Sequence, residues 1–202
     1  MSEQQSNHLD LGCGTNPANP YGRPHVFGVD IRDASARLHE AGKVTIVKAN
    51  LALEKIPFED NFFSSVSAVD FLEHVPRQLY IDRTGEIVYP FINLMNEIWR
   101  VLSPGGRFLA ITPAYPRAAA FADPTHVNTL TNTTHTYFCG HPPGGRVYGF
   151  HGEFRAHVVR FSAPSNYRAM PPRPVRSKIR DWSRRLSKGG LQHLVWELEA
   201  IK

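Results

Sequence analysis

The sequence predicts an α/β protein built on a mostly parallel sheet, and three observations carry that expectation. Short buried β-type runs are spaced along the chain with helical or turn-rich stretches between them. The first two runs each reach an acid: His8-Leu9-Asp10-Leu11 is followed by Gly12-Cys13-Gly14, and Val26–Ile31 reads Val-Phe-Gly-Val-Asp-Ile. Further on, an amphipathic helical stretch is closed by Ser103-Pro104-Gly105-Gly106 and leads directly into another β-type run.

Two parallel strands with a glycine turn after the first and a carboxylate at the tip of the second make a nucleoside site. Glycine lets backbone approach a ligand where a side chain would collide. Asp30 lies about 20 residues beyond Asp10, near the spacing at which a carboxylate meets both ribose hydroxyls. A dinucleotide fingerprint needs a third glycine opening a helix; here Pro17 stands in its place, and Asn16-Pro17 and Asn19-Pro20 interrupt any immediate helix. A pyrophosphate is therefore disfavoured, and with it a nicotinamide dehydrogenase. Asp10, directly before the glycine turn, suits a cationic group such as an amino-acid ammonium.

The first strand is expected from about Asn7, leaving no room for an N-terminal lid helix. A Pro/Asn/Gly loop runs to Pro24, and the second strand covers Val26 to Asp30. Residues 32–41 read as a helix capped by Asp33. Val44 to Ala49 is β-branched and short, a third strand, followed by Asn50-Leu51. After the turn chemistry of 56–61, Phe62 to Val69 reads as a buried fourth strand ending at Asp70-Phe71-Leu72-Glu73-His74-Val75-Pro76. In open α/β sheets ligands bind beyond the carboxyl ends of the strands, so 70–74 are expected to share a crevice with Gly12 and Asp30. Ile87 to Leu102 is a helix with Phe91, Leu94, Met95, Ile98 and Leu102 on one face, and Met95 and Trp99 are expected in the core. Arg107 to Thr112 is the fifth strand. Residues 113–150 are irregular and rich in Pro, Gly, Thr, His and aromatics; a long stretch of that kind in a compact domain is usually functional or disordered. Glu153 to Phe161 and Leu194 to Ile201 are two closing strands around a loop over Met170–Pro174, a basic helix over Ser177–Lys188 and a Gly189-Gly190 break.

Three segments together resemble one family. Leu9-Asp10-Leu11-Gly12-Cys13-Gly14 with Gly28-Val29-Asp30, the Leu-Glu-His-Val run at 72–75, and Asn96-Glu97-Ile98-Trp99-Arg100-Val101-Leu102-Ser103-Pro104-Gly105-Gly106 look like the core of the class I S-adenosylmethionine-dependent methyltransferases. The resemblance covers residues 7 to 113 well and the remainder loosely. It implies a Rossmann-like seven-stranded, mostly parallel sheet of order 3-2-1-4-5-7-6, with an antiparallel C-terminal strand and helices on both faces. It implies S-adenosylmethionine as cofactor. Asp10, Gly12 and Gly14 would hold its methionine end, Asp30 its ribose, and Asn50 and Leu51 its adenine. Asn50 stands where the family often has an acid, and an amide oxygen still accepts from an exocyclic amine. Val69, Asp70 and His74 would lie near the transferred methyl, with His74 and Asp70 as candidate general bases. The alternative for Glu73 and His74 is that they cap and pack the next element. The 113–150 segment varies with the acceptor in such enzymes; Asp123-Pro124-Thr125-His126 and Tyr137 are expected on the acceptor wall.

The histidines at 126, 135, 141, 151 and 157, with Asp123 and Cys139, show no tight zinc spacing, so no metal is expected. At 202 residues, 42% hydrophobic and 20% charged, the chain suits one domain with a real core. No apolar run approaches membrane-spanning length, the N-terminus lacks a signal pattern, and Cys13 and Cys139 make no disulfide framework, which together predict a cytoplasmic protein. The net charge of +5 is uneven: 155–188 hold ten Lys or Arg against one acid, while 1–154 hold 12 against 15. Such a block can meet RNA or form a solvated face. The expected activity is methyl transfer to a small-molecule or sugar-like acceptor. An RNA methyltransferase using the basic segment and a non-catalytic cofactor binder are the alternatives.

Overall fold

A computed structural model describes residues 7–33, 44–162 and 191–202. The expected helix over 32–41, beyond its first two residues, lies outside the described residues. So do the loop and basic helix expected within 163–188, and the break at 189–190. Among the described residues nine strands and two α-helices follow in chain order: β1 (Asn7–Leu11), β2 (His25–Asp30), β3 (Val44–Lys48), β4 (Phe63–Val69), β5 (Leu79–Ile81), β6 (Glu86–Val88), α1 (Pro90–Val101), β7 (Leu102–Pro113), α2 (Ala119–Ala122), β8 (Phe154–Ser162) and β9 (His193–Ala200).

Seven strands form one sheet in the order β3-β2-β1-β4-β7-β9-β8. The first five pair in parallel, and β9 runs antiparallel to both β7 and β8. This is the Rossmann-like α/β architecture with an antiparallel C-terminal strand. Central strands of such a sheet are covered on both faces and read as near-continuous apolar runs. β1 and β4 obey this, except that β1 carries His8 and Asp10 and β4 three serines at 64, 65 and 67. All five side chains are buried.

Helix α1 begins at Pro90, whose missing N–H and fixed φ suit a first turn. It buries Phe91, Leu94, Met95, Ile98 and Val101 against the sheet. Sequence periodicity places its start at Ile87; the structure instead pairs Glu86–Val88 with Leu79–Ile81 as a separate two-stranded ribbon. Residues 103–106, expected as a turn, belong to β7, and the strand register shifts opposite them between Phe63 and Ser65. Trp99, expected in the core, is partly buried, and its Nε1–H donates to the Ile201 carbonyl at 2.9 Å. The opposite face of the sheet carries a smaller cluster of Leu109, Ile111 and Val195, with Tyr21 and Val69 against it.

Residues 113–150 are built into the core. Leu130, Phe138 and Phe150 are almost fully buried, and Phe138 meets Phe91 edge-on at 5.3 Å. Among the described residues no helix is long and apolar enough to cross a membrane.

Arg100 ties α1 to the loop before β4. Its guanidinium donates to the Ile56 and Phe58 carbonyls at 2.9 Å each, and pairs with Glu97 and Asp60 at 2.7 Å. Only 24% of the side chain is exposed. Replacing it leaves two carbonyls and Glu97 short of partners in a half-buried place. Arg100→Met is expected to lower stability by about 2–3 kcal/mol with an unchanged denaturant slope. Urea unfolding checks this; a loss below about 0.5 kcal/mol would make the network ornamental.

Candidate active site

The carboxyl ends of β1, β2, β3 and β4 open onto one cleft of about 530 Å³. Gly12, Asp30, Asn50 and Leu51 line it, together with Ile31, Arg32, Asp70, Phe71, His74 and Thr125. Of the expected cofactor residues, these four therefore meet on one wall. Asp10, Gly14 and Val69 stand behind it.

Gly12 sits at φ +67°, with its N–H on the Val29 carbonyl at 2.8 Å. A Cβ there would lie 2.4 Å from the Phe71 ring. The turn thus needs glycine twice over, for its left-handed backbone and for the ring packed against it. On the other side of the cleft Asp70 holds φ +47°, its N–H on the Ile111 carbonyl. A non-glycine residue in that region carries local strain, and it turns the chain from β4 into the 70–75 segment at the cleft.

Asp30 is 5% exposed and fully engaged. Oδ1 accepts from the Arg32 N–H and Nε, both at 2.9 Å; Oδ2 accepts from the Gly14 N–H at 2.7 Å and from the Arg32 guanidinium at 3.2 Å. Burial raises its pKa, but the Arg32 and Gly14 donors outweigh burial and hold it down to about 2. Arg32 itself is 73% exposed. Its fork covers both oxygens of the carboxylate, which is itself buried. Asn50 closes a turn, its Oδ1 accepting the Ala52 N–H at 3.2 Å.

Asp10 does not face the cleft. Its Oδ2 accepts from the Ala18 N–H at 2.7 Å, and its Oδ1 takes a short hydrogen bond from the Ser67 hydroxyl. His8 spans Ser65 and Ser67 at 2.9 Å each. Burial raises Asp10 to about 6, and burial lowers His8 to about 4.

At the far end of the cleft the 3-10 turn Leu72–His74 meets the loop after α2. The loop is strapped down: the Val127 and Asn128 N–H groups both donate to the Glu73 carbonyl at 2.9 Å, and Asn128 Nδ2 donates to the Leu72 carbonyl at 3.1 Å. Arg77 Nε holds Asn128 Oδ1 at 2.7 Å. His74 Nδ1 lies 3.0 Å from the Thr125 hydroxyl, which spends its own proton on Asp123 Oδ1 at 2.7 Å. His74 Nδ1 must therefore carry the proton, leaving Nε2 with a lone pair. His126 Nδ1 donates to the Ala120 carbonyl at 3.2 Å, so its Nε2 is also unprotonated. The two rings meet at 4.8 Å, nearly perpendicular. Beside them sits Glu73, 2% exposed, with no well-formed hydrogen bond on either carboxylate oxygen and the Thr112 hydroxyl close by. Burial raises its pKa.

Of the expected acceptor residues, Asp123 and His126 thus reach the cleft through Thr125 and His74. Tyr137 does not. It lines a separate groove of about 570 Å³ with Arg77, Tyr89, Phe91 and Tyr148. Phe71 and Thr125 fall within the segments expected at the crevice and the acceptor wall; sequence reasoning missed Arg32, at which only an acid two residues before it hinted.

This sheet order, with a glycine turn and a carboxylate sharing the cleft, defines a nucleoside-binding α/β domain of the methyltransferase type. Residues 9–110 match a family model described as a methyltransferase domain, and the chain belongs to that family. No curated protein sequence matches significantly. Among solved structures, an S-adenosylmethionine-dependent methyltransferase from Mesorhizobium loti is 15% identical at a TM-score of 0.53, covering 98% of this chain and 93% of that one. Another from Archaeoglobus fulgidus is 15% identical at 0.52, covering 96% and 86%. A geranyl diphosphate methyltransferase in complex with S-adenosylmethionine is 14% identical at 0.56, covering 98% and 79%.

The buried His8–Ser67–Asp10 chain has a pH signature. His8, held low, loses stability for the fold as pH falls from 6.5 to 4, because only the unfolded chain takes the proton. Asp10, held high, loses stability as pH rises from 4 to 6, because only the unfolded chain ionises freely. The two oppose each other in one window. Asp10→Asn removes the second effect, so between pH 4 and 6.5 this variant should gain roughly 2–3 kcal/mol relative to wild type. Urea unfolding at the two pH values measures it; parallel profiles would refute the assignment.

Proposed function

We propose that this enzyme methylates an oxygen of a small, uncharged or cationic acceptor, such as a sugar-like metabolite. The observation that carries the reading is the single cleft in which Asp30, side-chain-free Gly12, Asp70 and His74 converge. Bound S-adenosylmethionine supplies an electrophilic methyl group on a sulfonium. Asp30 accepts the ribose hydroxyls once Arg32 swings away, and Gly14 keeps the carboxylate aimed. Gly12, with no Cβ, admits close approach of the methionine end. Asp10 acts from behind by fixing the loop through Ala18. Asn50 and Leu51 flank the adenine, and Val69 supports the strand end at the methyl. His74 and Asp70 orient the acceptor and assist its deprotonation; most of the acceleration lies in that alignment.

The charge of the cleft supports the acceptor class. Asp30 and Asp70 line it, and Arg32 is already paired to Asp30. Such a mouth repels a phosphate backbone and favours a neutral or cationic molecule. An RNA acceptor would rest on the basic residues of 155–188 and would show binding that falls steeply with salt.

Calorimetric titration with S-adenosylhomocysteine, with a nicotinamide dinucleotide as control, tests the cofactor residues. Asp30→Ala should bind the sulfur nucleoside about 1.5–3 kcal/mol more weakly, or roughly 10- to 150-fold. Unchanged affinity in a folded variant would remove Asp30 from the site. Transfer of labelled methyl to hydroxylated small molecules, and not to RNA, is the expected outcome of an acceptor screen. Labelling of RNA that collapses with added salt would overturn the acceptor class.

A further inference from the structure

At the end of the cleft His74, which lines it, is grouped with a buried carboxylate and a second imidazole that no step above fully explains. Candidate ligand atoms of Glu73, His74 and His126 all lie within 4.8 Å of one another. Two ligands about 2.1 Å from one ion lie at most about 4.2 Å apart, so a slight contraction closes the set. Glu73 is the unusual member. A carboxylate removed from water with only the Thr112 hydroxyl beside it, and that in poor hydrogen-bond geometry, is costly as an anion unless a cation meets it. The histidines are prepared in the way metal-binding histidines are. Each spends Nδ1–H on an oxygen, His74 on Thr125 and His126 on the Ala120 carbonyl, which leaves both Nε2 lone pairs available. Asp123 stands behind Thr125 and completes a carboxylate–hydroxyl–imidazole relay. The straps from Val127, Asn128 and Arg77 hold His126 beside His74 through backbone and amide hydrogen bonds.

We propose that Glu73, His74 and His126 form a binding site for a divalent first-row transition cation at the acceptor end of the cleft. Two imidazoles and one carboxylate suit zinc, manganese, cobalt or ferrous iron. Magnesium and calcium prefer all-oxygen sets. Three protein ligands leave coordination positions open, as catalytic sites do. His74 and Thr125 both line the cofactor cleft, so an ion held there is within reach of an acceptor placed in it. This use of the ion rests on the acceptor reading above. An acceptor hydroxyl bound to the cation becomes more acidic. Its O–H bond breaks, the electron pair stays on oxygen, and the proton passes to the Asp70 carboxylate and on to solvent. Asp70 is suited to that exchange, since its side chain is 46% exposed. His74 then serves as a ligand, and the base is Asp70.

The test uses the full-length protein, free of any histidine tag and dialysed against a chelator. Cobalt(II) is added while its visible ligand-field absorption is followed, and zinc and manganese are titrated by calorimetry. Wild type should take up one equivalent of cobalt. Glu73→Gln and His126→Ala should each weaken uptake at least tenfold. Their affinity for S-adenosylhomocysteine should stay within about twofold of wild type. His126 is only partly buried, so its variant guards against misfolding at Glu73. Substoichiometric uptake, or uptake that neither variant changes, would overturn the site; the latter would place the metal on other histidines. Metal uptake without nucleoside binding would leave the site standing and defeat the cofactor assignment, so the two failures are distinguishable.

Discussion

The burial of Asp10 is the constraint on which the cleft depends. One carboxylate oxygen grips the loop at Ala18 and the other grips Ser67 on the neighbouring strand. The glycine turn, the loop and β4 are thereby locked to one another at the point where β1 ends. Parallel pairing does the rest. Because β2, β1, β4 and β7 all run the same way, their carboxyl ends stack side by side, and the residues just past them must share one rim. A buried carboxylate in mid-sheet is expensive unless its oxygens are occupied, and here the expense is met by Ala18 and Ser67.

The rim is divided in two. The β1–β2 half is rigid backbone with a deeply acidic carboxylate covered by an exposed guanidinium. The β4 half is a short turn clamped to a loop some fifty residues later in the chain. Those halves suit different work. A fixed anionic wall suits a constant ligand, as the cofactor role proposed for it requires, while a loop fastened by a few hydrogen bonds can change without disturbing the sheet. The geometry of the second half also explains why a histidine with an open Nε2 persists there. Thr125 and Ala120 settle both tautomers before any ligand arrives.

Much of this was legible in the sequence, for a physical reason. Buried strands in a parallel sheet are short runs rich in β-branched and aromatic residues; β2, β3 and β4 read that way, while β1 was legible from its leucines and the glycine turn after it. Asp30 and Gly12 were legible as cleft residues because an acid and a bare backbone at strand ends stand out in the sequence. The ribbon at 79–88 was not: two three-residue strands carry no periodicity, and Ile87 falls in phase with the helix that follows. Asp10 was legible as a site residue but not in its direction, since nothing local reveals that Ser67 and Ala18 will use both oxygens. Tyr137 shares the composition of the 113–150 segment but lies on another groove. The Glu73–His74–His126 grouping was invisible to ligand spacing, because two of its members sit on one turn and the third arrives through tertiary strapping.

Phe71 and Gly12 carry a consequence for how such a chain can diverge. The ring occupies the volume that any side chain at position 12 would need, so the two positions form one steric unit split between two strand ends. A drifting lineage cannot enlarge one without first shrinking the other, and shrinking Phe71 opens the wall between the cofactor half and the acceptor half. The floor of the cleft is therefore frozen by mutual exclusion, and novelty in this scaffold is channelled toward the loop that carries Thr125 and His126.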